Sequence, residues 1–176
     1  MTGGRHVLLL SMAALSAGCV TQIERTPLQA QRLAAAPRVS LACAVTLVEV
    51  VDARPGGESA GVYNGRALQF ARAPDLVREH LVAAGVGTGE ATEGMRLTVQ
   101  LKRLYMAQQH AVNTPVVVLQ AQLGDTPPFL IRPQVPSVNW WGSEAELYDD
   151  LGAAVARANT QLVQGLNQRC PKAARG

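Results

Sequence analysis

The sequence predicts an α+β layer fold: a mostly antiparallel sheet of about four to five strands backed by two helices, the C-terminal one long. Three observations carry that expectation. Residues 96–104 alternate strictly, with Leu97, Val99 and Leu101 on one side and Thr98, Gln100 and Lys102 on the other, the pattern of a strand with one face buried and one wet. Two more strand-like runs follow, with no helical segment between them, which predicts an antiparallel meander. The last third of the chain then carries a single apolar stripe at helical spacing.

The elements follow in order. Leu41 to Val51 is a strand rich in Val and apolar on both faces as far as Glu49, as expected of a strand covered on both sides or facing a partner with its second face. Asp52 to Gly57 ends it with turn chemistry, and a glycine-containing loop leads through Asn64-Gly65 to a short apolar piece, Ala67 to Phe70. Pro74 opens a helix where its missing N–H costs nothing. Leu76, Val77, Leu81 and Ala84 share one face of it, and Gly85 stands where a left-handed stop belongs. After the loop 86–94 come the strands 96–104, 116–123 and the short 129–132, whose neighbours Pro133 and Pro136 place it at an edge. Ser143-Glu144-Ala145-Glu146 is a capping box. Leu147, Leu151, Ala154, Val155, Ala158, Leu162 and Leu166 continue it as a helix of roughly 35–40 Å. Gly152 and Gly165 within it mark close approach or local weakness.

Ahead of this domain the N-terminus reads as an address. Arg5 precedes an apolar run from Val7 to Leu15, and small residues follow it, the layout of a secretory signal. The run is too short for a membrane-spanning helix, which needs about 20 apolar residues. Ser16-Ala17-Gly18-Cys19 resembles the lipobox of bacterial lipoproteins, with Ser16 at the third position before the cysteine, where Leu is usual, and Leu15 one place earlier. That resemblance implies cleavage after Gly18, diacylglycerol on the Cys19 sulfur and stable anchoring by more than one acyl chain. Val20 follows the cysteine, where an inner-membrane retention signal of the enteric type has Asp. The expected location is the inner leaflet of the outer membrane, facing the periplasm.

The expected domain layout is a signal peptide at 1–18, a lipidated N-terminus and flexible tether at 19–38, one α/β domain at 39–171 and a short disordered tail at 172–176. Composition assigns residues 20–38 to the tether through Gln22, Gln29, Gln31, Pro27 and Pro37, a spacer reaching some tens of Å. The formal charge of +3 falls by one when Arg5 leaves with the signal, so there is no electrostatic footprint for nucleic acid. With Cys19 lipidated, Cys43 and Cys170 remain as a pair in a compartment that permits disulfides, and a bridge between them is expected.

The candidate chemistry is sparse. His80, on the first helix, and His110, in the connection between two strands, meet no metal-ligand spacing, and no metal or cofactor is expected. Asp52 and Arg54, just past a strand end, form either a site or the brace of a turn, the brace being favoured. Asp149 and Asp150 diverge by about 100° on a helix and read as a solvated face. Trp140 and Trp141 are the least ordinary pair: they either pack over the helix start and sheet edge or contact a glycan or protein partner.

The lipobox at Cys19, the strand running into Asp52-Ala53-Arg54-Pro55 and the 96–104 strand form one part of a wider pattern. With Asn139-Trp140 before Ser143 and Glu146, and the long closing helix, they resemble YajG-type bacterial envelope lipoproteins. That resemblance implies antiparallel strands backed by two helices and no settled activity. The expectation is a lipid-anchored, non-catalytic accessory of an envelope transport or assembly complex. Its partners are the membrane and other envelope proteins, a second copy included, with no nucleic acid and no small-molecule substrate. The alternative is a peptidoglycan or glycan binder using Trp140 and Trp141.

Overall fold

The structure, a computed structural model, describes residues 24–33, 39–89, 94–109, 112–135, 138–139 and 142–170. Among these residues the fold is a nine-stranded mixed sheet with two helices, which corrects the expectation of a mostly antiparallel sheet of four to five strands. The strands are β1 (Arg25–Pro27), β2 (Val45–Asp52), β3 (Ser59–Tyr63), β4 (Arg66–Gln69), β5 (Gly87–Thr88), β6 (Met95–Gln109), β7 (Val112–Leu123), β8 (Phe129–Ile131) and β9 (Val138–Asn139). The helices are α1 (Ala73–Ala83) and α2 (Glu144–Arg169).

The meander β6-β7-β8 is antiparallel, as its uninterrupted strand runs imply. The departures lie upstream. The β3–β4 hairpin and α1 separate β2 from β6, and that long connection returns the chain so that β2 lies parallel to β6. Parallel neighbours require such a crossover, usually helical. On the same edge of β6 the second half pairs with β3, through Gly61 opposite Met106. Beyond β3 lie β4, antiparallel to it, and β1, parallel to β4.

Residues 24–33, which composition assigns to the tether, belong to the fold. Leu28, Ala30 and Leu33 are buried, Leu33 with 1% of its surface exposed. The Leu28 N–H donates to the Gln69 carbonyl at 2.7 Å, and the Gln29 N–H donates to the Tyr148 hydroxyl at 3.0 Å. The segment has no period of its own because it is a short strand followed by a 3-10 turn (Ala30–Arg32), and its apolar side chains are buried by tertiary contact, Leu33 lying against Gly152 of α2.

Both helices pack on one face of the sheet. Register rows running across that face are apolar throughout: Leu47, Leu97 and Leu123, then Val50, Val99, Ala121 and Phe129. A bulge between Leu101 and Arg103 shifts the register by one residue and keeps Leu104 and Met106 in the core. The helix ends follow their sequence signals. Pro74 lies in the first turn of α1, and Gly85 follows its end with φ +97. Ser143 caps α2, its Oγ accepting from the Glu146 N–H while the Glu146 carboxylate accepts from the Ser143 N–H at 2.9 Å. Of the two glycines in α2, Gly152 has Leu33 at ordinary contact distance, whereas a Cβ on Gly165 would lie 2.8 Å from the Phe129 ring. Close approach is therefore the role of Gly165, and Arg169 closes the arrangement by stacking its guanidinium over Phe129.

His80 and Asn159 form a polar contact buried between α1 and α2. The Asn159 Nδ2 donates to the Val155 carbonyl at 3.0 Å and to His80 Nδ1 at 2.9 Å. The His80 Nε2 and Asn159 Oδ1 atoms are buried without a partner. Burial holds the imidazole below its usual pKa, with Glu79 acting weakly the other way. The folded chain therefore keeps His80 neutral where the unfolded chain takes a proton. Stability should be complete above the unfolded value near 6.5 and decline as pH falls below it. Urea midpoints measured from pH 7.5 to pH 5 should show that decline, and His80→Leu should flatten it. An unchanged slope in the variant would place the acid sensitivity elsewhere.

Candidate functional site

The helices cover one face of the sheet, and among the described residues no element covers the other. The outer side chains are set by the same registers that build the core. Val51, Gln100, Gln120 and Leu130 stand in one row across β2, β6, β7 and β8. Beyond the bulge, Arg103 stands opposite Val118 and Tyr105 opposite Val116. Leu130 is 68% exposed, and Val51, Tyr105, Val116 and Val118 are half-buried by their neighbours in the sheet. The surface therefore combines aliphatic and aromatic area with amides and the Lys102 ammonium, which lies 3.5 Å from the Gln100 side-chain Oε1. Sequence alternation marks these positions as the wet side of β6 and β7. What it does not reveal is how the aliphatic members line up across strands, because that depends on the register.

Between β8 and β9 the chain leaves the sheet, and a groove of about 700 Å³ opens there. Its lining includes Thr114, Pro115 and Val116 of β7, the 132–135 segment and Arg157 of α2. Arg157 donates to the Gln134 carbonyl at 3.1 Å. Among the described residues the groove has two guanidinium groups, Arg132 and Arg157, and no carboxylate in its wall, so these residues make it electropositive. Pro115 fits a strand segment whose N–H side has no ladder to feed.

The Asp52–Arg54 pair is a brace. The Arg54 guanidinium is buried, donates to both Asp52 carboxylate oxygens at 2.7 and 2.6 Å, and donates to the Phe70 carbonyl at 2.9 Å. It ties the end of β2 to the chain leaving β4. The side-chain hydrogen bonds from Arg54 hold the Asp52 carboxyl below the ordinary carboxylate range. Asp149 is exposed on α2, as its place on a solvated face requires. Cys43 and Cys170 are disulfide-bonded, with Cα atoms 5.8 Å apart. Cys19, His110, Trp140 and Trp141 lie outside the described residues. Among the described residues no three His, Cys, Asp or Glu side chains gather as a metal site would require, and no helix is long and apolar enough to cross a membrane.

No family model matches the chain, and no curated protein matches it. Solved structures that match the chain include the following two. One is the crystal structure of a Xanthomonas campestris protein under the family model DUF330, with 15% identity over 80% of this chain and 89% of that one, at a TM-score of 0.46. The other is the crystal structure of an uncharacterized protein, with 10% identity over 85% of this chain and the whole of that one, at a TM-score of 0.46.

Proposed function

We propose that this protein is a lipid-anchored, non-catalytic accessory of the bacterial cell envelope. In this reading acyl groups on Cys19 hold it to the outer membrane, and the domain offers its uncovered sheet face to a protein partner in a transport or assembly complex. The resemblance to YajG-type lipoproteins belongs to the same reading. The observation that carries it is the outer register row Val51, Gln100, Gln120 and Leu130, with Tyr105, Val116 and Val118 beside it. Tyr105, Val116 and Val118 adjoin one another in that surface with the glutamines beside them, and apolar area rimmed by polar side chains is the usual mark of a protein-docking surface. A Cys43–Cys170 bridge suits a compartment outside the cytosol.

Two measurements test the two halves of this reading. Metabolic palmitate should label the wild type and not Cys19→Ser, and the variant should leave the membrane fraction. Photo-crosslinking side chains at Gln100, Val118 and Gln120 should capture one common envelope protein in cells, whereas the same group at Asp149 on α2 should not. Unlabelled wild type would remove the anchor. Equal capture from Asp149, or none from the sheet, would remove the docking face.

A further inference from the structure

The described chain begins at the edge strand, and its place there limits how far the domain can stand from an anchor on Cys19. The Glu24 carbonyl accepts from the Ala67 N–H at 2.9 Å, and Arg25 pairs with Ala67 in the β1–β4 register. Glu24 is thus fixed to the sheet. Five Cα steps separate it from Cys19, which extend to at most about 18 Å. The tether expected from composition would instead have allowed several times that distance.

The sheet topology shows what else lies at the entry point. β1 and β4 run downward from it, and β3 runs up toward it, parallel to β6. The β3–β4 turn at Asn64-Gly65 therefore shares this end with the tip of the β6–β7 hairpin, where Gln109 stands opposite Val112. β9 joins the tip through Val112 and Asn139. The start of α2 is held there too, by Asn64 Nδ2 donating to the Gly142 carbonyl at 2.7 Å and by the Tyr63 hydroxyl donating to the Ser143 carbonyl at 2.7 Å. The disulfide and the β7–β8 turn at Gly124-Asp125 lie at the far end. β6 alone, with 15 residues, spans about 50 Å between the two ends.

We propose that the end bearing Glu24, the 64–65 turn and the Gln109–Val112 pair that closes the β6–β7 ladder seats on the lipid headgroups around the Cys19 anchor, with the sheet standing away from the membrane. This rests on the lipid-anchor reading above. A leash of about 18 Å holds the entry point within that distance of the anchored headgroups, while the far end, about 50 Å away along β6, is under no such constraint. The Arg and Glu side chains named at this end balance in charge, so an anionic headgroup layer meets no net repulsion from them. Glu24 is engaged by Arg66 at 3.3 Å, Glu144 by Arg32 and Glu146 by the Ser143 N–H, while Arg25 is exposed. Gln108 and Gln109 add exposed amides at the end of β6. The uncovered sheet face would then stand upright, reachable by a partner from the side.

The test uses the full chain expressed with its own N-terminus, purified as a lipoprotein and reconstituted into phosphatidylethanolamine–phosphatidylglycerol vesicles. A fluorescent side chain is placed at Gln108 or at Asp125, and a fraction of the lipids carries a headgroup nitroxide quencher. Quenching should be severalfold stronger at Gln108 than at Asp125. Inserting twenty Gly/Ser residues between Val20 and Glu24 should bring the ratio toward one. Palmitate incorporation is measured on the same preparations. Equal quenching at the two sites in a palmitoylated chain, or stronger quenching at Asp125, would overturn the seat and leave the anchor standing. Absence of palmitate would overturn both.

Discussion

Replacing Cys43 and Cys170 by Ser should lower the unfolding free energy by about 5 kcal/mol, provided the native geometry is unstrained. The bridge closes a loop of 127 residues, and the chain-entropy model makes the restriction of the unfolded state grow with the logarithm of that length. Its position adds a second effect. Cys43 precedes β2, and Cys170 caps α2 with its N–H donating to the Leu166 carbonyl at 3.0 Å. Nearby, Asn167 accepts from the Ala42 N–H at 2.8 Å and donates to the Ser40 carbonyl at 3.0 Å. Those hydrogen bonds survive the substitution, so the folded end should stay docked and most of the loss should arise in the unfolded chain. For a domain of this size the melting temperature should fall by roughly 10–20 °C. A reducing agent should reproduce the drop in the wild type and have no effect on the double variant. A drop of less than about 1 kcal/mol would show that the bridge adds little to the contacts around it.

The expectation of this bridge rests on an even count of cysteines and an exporting address, neither of which contains geometry. Other features are readable because they are local. Period-two alternation marks β6 and β7, the helical stripe marks α2, and Pro74, Gly85, Ser143 and Glu146 mark helix ends through backbone chemistry confined to a few residues. Features set by tertiary contact are not readable. The segment 24–33 has the composition of a spacer, yet Leu28 and Leu33 are buried, Leu33 against Gly152 of α2. The strand β3 contains Gly61 and follows a glycine-rich turn, so its local signal is that of a loop. Two short strands, β5 and β9, have only two residues each, below the length at which any period can be seen. The parallel pairing of β2 with β6 is likewise invisible locally, because it depends on where the β3–β4 hairpin and α1 return the chain. The candidate site has the same character: wet positions on β6 and β7 are legible, but the mixed row Val51, Gln100, Gln120 and Leu130 across four strands exists only once the registers are fixed.

Gly61→Ala should be among the most destabilising single substitutions in the chain, at about 3 kcal/mol or more. Gly61 has φ +89, in the left-handed region that a Cβ disfavours, and a Cβ there would lie 2.2 Å from the Met106 carbonyl oxygen. The obstacle is backbone on the central strand, so no side-chain rotation relieves it. Gly61 opposite Met106 is also where β3 registers against β6, and β4 and β1 hang from β3. The added methyl should therefore pry apart the seam between the β1-β4-β3 group and the rest of the sheet. Hydrogen exchange should show it regionally: amides of β1, β3 and β4 should lose protection first, while the β6–β7 ladder keeps most of its own. Gly57→Ala supplies the comparison. Gly57 has φ +55, but a methyl added there would meet nothing within 4 Å, so it bears the backbone penalty alone, about 1–2 kcal/mol. Urea denaturation of the two variants should separate steric from conformational cost. If Gly61→Ala loses no more than Gly57→Ala, then β3 can shift along β6 without harm, and the seam is not the tight junction that the distances at Met106 imply.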